Sequence, residues 1–243
     1  MKSATRPRVF LSASVPLPSR DRSYFETADV IAIRDAIRAL TMVIIEQELQ
    51  LVFGGHPAIT PMIRLQVAQA GIPVGDRIVM FQSRYFERDF PTDNSAFEHV
   101  ELVDSVSNDR GASLFRMRRE MLAGPFQVGL FIGGMEGVEE EYALFLELQP
   151  NLPAFPIAST GAAAAKIFNS SLNLQRRHPE LRDELTRLGD REQSESYFIS
   201  VCGRKTGRRR FDTRRSLESP NNAWGASYFR RDLQVQRSTM VRI

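Results

Sequence analysis

One segment constrains the fold of this chain more than any other. Residues 128–142, VGLFIGGMEGVEEEY, begin as an apolar run that ends in glycines and then in carboxylates. An apolar run of this length without polar alternation is typical of a parallel β-strand covered on both faces. Glycines after such a strand let backbone amides approach a ligand at the N-terminus of the next helix. The segment therefore predicts a strand, a ligand-binding loop and a helix.

The loop also carries acidic side chains, which a loop built only to hold an anion would lack. Glu136 lies between glycines, and three consecutive glutamates follow Val138. Carboxylates in a first helical turn interact favourably with the helix dipole, so part of this pattern has a purely structural explanation. We interpret at least one carboxylate as a contact for a sugar hydroxyl or an anomeric carbon, with Glu136 as a candidate ribose ligand.

Further strand-like and helix-like segments alternate along the chain. Short apolar runs predict strands at residues 8–14, 50–53, 77–82, 155–160 and 197–201. Helices are predicted at residues 27–48, from Thr60 as N-cap and Pro61 as first helical residue, at residues 112–123, after Gly161, and at residues 180–188. This alternation predicts an α/β fold: a single doubly wound, mostly parallel Rossmann-like sheet with helices on both faces.

Ligands of doubly wound sheets bind at the carboxyl ends of the strands. Polar residues or glycines follow five of the predicted strands, so one edge of the sheet should carry all of them. Loops at this edge commonly carry function, and a histidine there could contact a base or a phosphate. The candidate ligand-binding residues are Ser12, Ser14, Gly54, Gly55, His56, Gln82, Ser83, Gly133, Gly134, Glu136, Gly137, Ser159, Thr160 and Gly161.

Charge is distributed unevenly along the 243 residues. The formal net charge is +3, but residues 203–243 contain eleven basic and three acidic residues, which leaves 21 basic and 26 acidic residues before them. We predict a Rossmann-like domain at residues 1–202 and a basic, disordered tail at residues 203–243. The acidic body excludes a chain-wide nucleic-acid groove, and only the tail could attract nucleic acid, weakly.

The composition gives no sign of a metal site, a cofactor or a membrane span. Cys202 is the single cysteine, and no two histidines have the spacing of a helical metal site. No segment approaches the roughly 18 consecutive apolar residues of a membrane span, and the first residues lack an apolar signal core. We therefore predict no metal, no cofactor, no membrane contact and a soluble, cytoplasmic protein.

Four motifs together resemble those of the SLOG superfamily. This Rossmann-like group contains the LOG phosphoribohydrolases, DprA-type proteins and nucleotide-sensing domains of bacterial conflict systems. The resemblance covers residues 8–202 and implies a nucleotide or nucleotide-derived ligand and assembly into homo-oligomers. The motifs are VFLSAS at residues 9–14, GGHP at 54–57, MRREM at 117–121 and IGGMEGVEE at 132–140.

The LOG enzymes, which remove the base from nucleoside 5′-monophosphates, imply a set of catalytic residues. In those enzymes an arginine of a Met-x-x-Arg-Lys segment and the glutamate of a Pro-Gly-Gly-x-Gly-Thr-x-x-Glu loop act at the glycosidic bond. The resemblance puts the arginine at Arg118 or Arg119 and the glutamate at Glu140 or Glu141.

The glycine loop of this chain departs from the LOG pattern at three positions. Ile132 replaces the proline, Glu136 is an extra residue, and Val138 replaces the threonine whose hydroxyl would help to hold phosphate. With these departures the chain looks closer to the sensing branches of the superfamily than to the hydrolases.

Three functions follow from these observations. The first is a sensor or regulatory module of a bacterial defence or signalling system, which binds a nucleotide or nucleotide-derived ligand and acts through an effector protein chain. The alternative is a LOG-like hydrolase that cleaves the N-glycosidic bond of nucleoside 5′-monophosphates or related nucleotides. The third is a scaffold with a vestigial pocket.

Overall fold

The computed structural model of the protein describes residues 6–71, 75–178 and 191–202. Six strands form one sheet in the order β4-β3-β2-β1-β5-β6, and every neighbouring pair is parallel. The strands are β1 (Arg8–Ser14), β2 (Gln50–Phe53), β3 (Ile78–Ser83), β4 (His99–Val103), β5 (Val128–Gly133) and β6 (Ala154–Ile157). The prediction of a doubly wound parallel α/β sheet is confirmed.

Helices connect the strands and cover the sheet. The described helices are α1 (Arg22–Phe25), α2 (Val30–Glu46), α3 (Thr60–Ala70), α4 (Arg110–Leu122), α5 (Glu136–Leu148), α6 (Ala162–Ser170), α7 (Leu172–Arg177) and α8 (Arg191–Cys202). Short 3-10 helices lie at Gly75–Arg77, Arg84–Asp89, Thr92–Ala96 and Ala158–Thr160. The long polar segment after β3 is therefore folded into two 3-10 turns.

Both faces of the sheet bury apolar side chains, as a parallel sheet requires. On one face, Leu11, Leu51 and Leu130 pack with side chains of α2, α3 and α8. On the other, Phe10 and Phe131 pack with side chains of α1, α4 and α5. Phe10 stacks on Phe145 of α5, with their ring centroids 5.6 Å apart. The strands are thus fixed from both sides, and their carboxyl ends form a rigid edge.

Three helix starts differ from the sequence prediction. The helix predicted at residues 112–123 begins at Arg110, because Asp109 caps it by accepting a hydrogen bond from the amide of Ala112. Asp29 caps α2 by accepting a hydrogen bond from the amide of Ala32 at 2.9 Å, so this helix begins at Val30 and not at residue 27. Thr60 is the first residue of α3 rather than its N-cap, because its hydroxyl accepts a hydrogen bond from the His56 amide at 3.1 Å.

The strand predicted at residues 197–201 is wrong. These residues belong to α8, whose buried side chains recur every four residues at Ser194, Phe198 and Cys202 and pack toward α2. The sequence analysis also missed β4, an edge strand with exposed polar residues. The helix predicted at residues 180–188 and the basic tail predicted at residues 203–243 lie outside the described residues.

Within the described part of the chain, none of the helices combines the length and the apolarity needed to cross a lipid bilayer.

Candidate functional site

The strand order reverses between β1 and β5, because β2 to β4 lie on one side of β1 and β5 and β6 on the other. A crevice at such a reversal is the usual ligand site of an open α/β sheet. β1 and β5 are paired to their last residues, with Ser14 opposite Gly133. Since all strands are parallel, the sequence-predicted site residues lie at the same edge of the sheet.

A partly buried ion pair between α4 and α5 lies beside this crevice. Arg118 Nε donates to Glu141 Oε1 at 3.1 Å, and each side chain is only 14% exposed. Arg118 Nη1 also pairs with Glu140 Oε2, whose side chain is 62% exposed. Arg119, by contrast, is half exposed and lies 3.6 Å from Glu147. Of the two candidate arginines, only Arg118 reaches the glutamates of the glycine motif.

Glu141 is held in an environment that disfavours its charge. Burial raises the pKa of the Glu141 carboxyl, and the Arg118 charge opposes that rise. The Ser12 hydroxyl lies outside hydrogen-bond geometry, yet it is close enough to Glu141 to favour the charged carboxylate. Ser12 is 2% exposed, and its hydroxyl makes no hydrogen bond to any described residue.

The backbone of the glycine loop is partly occupied by internal hydrogen bonds. The Gly133 amide donates to the Thr160 hydroxyl at 2.8 Å, and the Gly134 amide donates to the Ser14 carbonyl oxygen at 2.9 Å. The Thr160 hydroxyl in turn donates to the Ile157 carbonyl oxygen at 2.6 Å. Gly133, Gly134 and Thr160 therefore tie β1, β5 and β6 together.

The loop ends where α5 begins, and no side chain caps this helix. Glu136 is the first residue of α5 and is exposed, rather than lying within the loop. Gly137 lies against Arg118: a Cβ atom at Gly137 would stand 2.9 Å from Arg118 Nη2. The lack of a side chain at Gly137 thus makes room for the guanidinium.

An open cleft of about 600 Å³ lies at the same edge, on the β6 side. Residues 26–31 and the segment around Ser159, Gly161 and Ala165 line it. Ser159 is 3% exposed, and its hydroxyl also has no hydrogen-bond partner among the described residues. Arg118 and Glu141 do not line this cleft. Ser12 near the end of β1 and Ser159 just after β6 are thus two buried serines at this edge of the sheet.

The candidate residues that follow β2 and β3 have local structural partners. Gln82 Nε2 donates to the Gly54 carbonyl oxygen at 3.2 Å, over the left-handed Gly55. The Ser83 hydroxyl accepts from the Tyr85 amide and caps a 3-10 helix. His56 Nδ1 accepts from the Ala58 amide at 3.2 Å. These contacts stabilise the turns after β2 and β3. Ligand contact at Gln82, Ser83 and His56 stays a prediction.

Acid should destabilise the protein through His56. Burial, followed by the positive charge of Arg20, lowers the pKa of His56 from 6.5 to about 4. Folding thus opposes protonation of His56, so the stability of the protein is intact above pH 6.5 and falls as the pH drops toward 4.

The variant His56→Asn tests this role, because it keeps an acceptor for the Ala58 amide and lacks the titrating ring. Between pH 7.5 and 4.5 the variant should lose about 1–2 kcal/mol less stability than the wild type, measured by urea unfolding. Equal losses would contradict this role for His56.

The sequence analysis missed a polar cluster that ties α1 to α5 and α6. Tyr24 is buried, and its hydroxyl donates to Glu139 Oε1 at 3.1 Å. Lys166 Nζ lies 3.6 Å from the centroid of the Tyr24 ring. Burial, and then the hydrogen bond to Glu139, raise the pKa of Tyr24 to about 12. The Asp21 cap at the start of α1 is the one sequence signal that could have indicated this helix.

Among residues 6–71, 75–178 and 191–202, no group of three or more His, Cys, Asp and Glu side chains could hold a metal ion.

The comparison with protein families identifies the superfamily to which the chain belongs. Residues 23–188 match the model of the SLOG cluster3 family, which confirms the resemblance to the SLOG superfamily. No curated protein and no solved structure matches the chain. The matched span covers more than half of the 243 residues and includes Tyr24, Arg118 and Glu141. The chain therefore belongs to the SLOG cluster3 family, and with it to the domains that bind or process nucleotide-related ligands.

Proposed function

We propose that this domain binds a nucleotide or nucleotide-derived ligand at the carboxyl ends of β1 and β5. It would serve as a sensor or regulatory module of a bacterial defence or signalling system in the cytoplasm, acting as a homo-oligomer on an effector protein chain. The observation that carries the proposal is the Arg118–Glu141 pair, which lies beside the buried Ser12 hydroxyl and against Gly137 at the start of α5. A phosphate oxygen of the ligand would bind the Arg118 guanidinium at this place.

Arg118 suits the binding of a phosphate group. Its guanidinium is planar, always charged and able to donate two parallel hydrogen bonds to a phosphate. Glu141 holds it from the buried side at 3.1 Å, so little side-chain entropy is lost on binding. The N-terminus of α5 lies next to Gly137, and its N-cap residue Met135 makes no side-chain capping hydrogen bond. This end of the helix adds the positive end of the helix dipole.

The cleft on the β6 side supports a ligand larger than a phosphate ion. It is an open cleft at the protein surface, lined by residues 26–31 and by Ser159, Gly161 and Ala165. The titratable groups that line it, Glu26 and Asp29, are both acidic, so it favours an uncharged part of a ligand. The Ser159 hydroxyl is available to hydrogen-bond a base or a ribose there. In this arrangement the phosphate would lie at Arg118 and the nucleoside toward Ser159.

One observation favours hydrolysis of an N-glycosidic bond as the second candidate. Glu141 is a buried carboxyl with a raised pKa, paired with an arginine, and such a group can stabilise an oxocarbenium-like transition state or activate water. Its position matches the glutamate of the LOG motif. Two features oppose hydrolysis. Arg118 is already paired with Glu140, and Val138 lacks the hydroxyl of the LOG threonine.

A single assay separates the two candidates. The purified protein is incubated with nucleoside monophosphates, NAD-type dinucleotides and cyclic nucleotides, and thermal shift and released base are read in the same samples. We expect a stabilising ligand that remains intact. Released base in the wild type that disappears in Glu141→Gln, but persists in Glu147→Gln, would replace the sensor with the hydrolase. Glu147 is a suitable control because it lies on the same helix and pairs with Arg119.

A third outcome is a lack of both signals. If no compound in the panel shifts the melting temperature or loses its base, the pocket is vestigial and the scaffold function takes the place of both candidates.

A further inference from the structure

The two carboxylates that hold Arg118 differ in their access to solvent. Glu141 is 14% exposed and binds Nε from the protein side. Glu140 is 62% exposed and engages Nη1 from the solvent side. Any ligand that reaches Arg118 must approach from solvent, where Glu140 already occupies one edge of the guanidinium. The ligand and Glu140 therefore compete for the exposed edge of the Arg118 guanidinium, where Glu140 pairs with Nη1.

The balance of charge at this end of α5 makes the competition energetically significant. Glu136, Glu139, Glu140 and Glu141 all lie on the first two turns of the helix. Among the described residues, Arg118 pairs with Glu140 and Glu141, and Lys166 lies over the ring of Tyr24, whose hydroxyl donates to Glu139. A phosphate would thus enter a site with an excess of negative charge. Because Glu140 is the exposed member of the Arg118 cluster, it can leave without stranding a buried charge.

We propose that Glu140 is a built-in competitor for Arg118, which the phosphate group of the ligand displaces on binding. This inference rests on the proposed function, since it assumes that Arg118 receives the phosphate. Glu140 then lowers the affinity for phosphate-bearing ligands, while Glu141 keeps the guanidinium in place. The Arg118–Glu141 contact persists in the bound state, and the Arg118–Glu140 contact breaks.

The test compares Glu140→Gln with Glu147→Gln. Both variants remove one carboxylate from the exposed side of α5, and the side chains they replace are similarly exposed, at 62% and 66%.

The probes are AMP, adenosine and inorganic phosphate, and their dissociation constants are measured by calorimetry at low salt. We expect Glu140→Gln to bind AMP and phosphate about three- to tenfold more tightly than the wild type, because a competing exposed ion pair and a like charge are both removed. Glu147→Gln should bind both as the wild type does, and adenosine should bind all three proteins alike.

Each other outcome decides a different question. If AMP binds the wild type, but Glu140→Gln binds it no more tightly than Glu147→Gln does, Glu140 is not a competitor and the proposed function stands. If Glu140→Gln weakens AMP binding, Glu140 instead positions Arg118, and the inference is overturned. If phosphate or AMP binds only to Glu140→Gln, the competition is confirmed in its strongest form. If neither probe binds any of the three proteins, both the inference and the phosphate contact at Arg118 fail.

Discussion

Replacement of Gly161 by alanine is expected to lower the free energy of unfolding by about 3–5 kcal/mol. Gly161 has φ 73° and ψ −159°, a conformation that is essentially restricted to glycine. A Cβ atom there would lie 1.8 Å from the carbonyl oxygen of Thr27 and 2.8 Å from its carbonyl carbon. These are backbone atoms, so the clash cannot be relieved by a rotamer change. The segment around Thr27 would have to move away from the end of β6.

The movement would also disturb the cleft. The Asp29 amide donates to the Thr160 carbonyl oxygen at 3.2 Å, so separating the two segments breaks this hydrogen bond. Gly71→Ala is the matched control, because Gly71 has φ 63° and no atom of the described residues lies within 4 Å of the added Cβ. It should cost only about 1–2 kcal/mol, the penalty for the left-handed backbone alone. Urea unfolding measures both variants, and similar losses would refute the close approach of Thr27 to Gly161.

Replacement of Arg118 by glutamine is expected to weaken the binding of a phosphate-bearing nucleotide roughly 10- to 100-fold. Hydrogen bonds to a charged group contribute about 1.5–3 kcal/mol, and the variant keeps a donor for Glu141 but loses the charge that attracts the phosphate. The unfolding free energy should also fall, by about 1–3 kcal/mol, because the buried Glu141 carboxylate is left without its cation. The dissociation constant is therefore measured at a temperature well below the midpoint of unfolding.

Arg119→Gln provides the control for this experiment. Arg119 is the neighbouring residue on α4, carries the same charge and is directed at Glu147 instead of the glycine loop. Its replacement should leave the dissociation constant within about twofold of the wild type, as expected for an exposed pair. Equal effects of the two replacements would indicate that general charge, and not the Arg118 geometry, attracts the ligand.

Those parts of the fold with a strong local signal were predictable. β1 and β2 have the bounds that the sequence predicts. Both are continuous apolar runs, which are typical of parallel strands covered on both faces. β4 was missed because it is an edge strand: His99 and Glu101 are partly exposed and give no apolar run. Residues 197–201 have β-branched and aromatic side chains that favour a strand, but the four-residue spacing of buried side chains in α8 is helical. Packing toward α2 overrides the local preference.

The site could be predicted only in outline. Its edge follows from the parallel order of the strands, and the two arginines and two glutamates were singled out by the family resemblance. Whether Arg118 or Arg119 faces the crevice depends on how α4 is rotated about its axis, and the same holds for Glu140 and Glu141 on α5. The identity of adjacent residues in the sequence does not reveal this rotation. The contact of Tyr24 with Glu139 joins residues 115 positions apart, and no local pattern could indicate it. Thr160, predicted as a ligand contact, has its hydroxyl occupied by the Gly133 amide.

A crystal structure of the protein with the nucleotide that stabilises it most would test the central claim directly. We expect ligand density at the carboxyl ends of β1 and β5, with a ligand oxygen within hydrogen-bond distance of both the Ser12 hydroxyl and the Arg118 guanidinium. A ligand bound elsewhere, with no contact to Ser12 or Arg118, would contradict the assignment of this site.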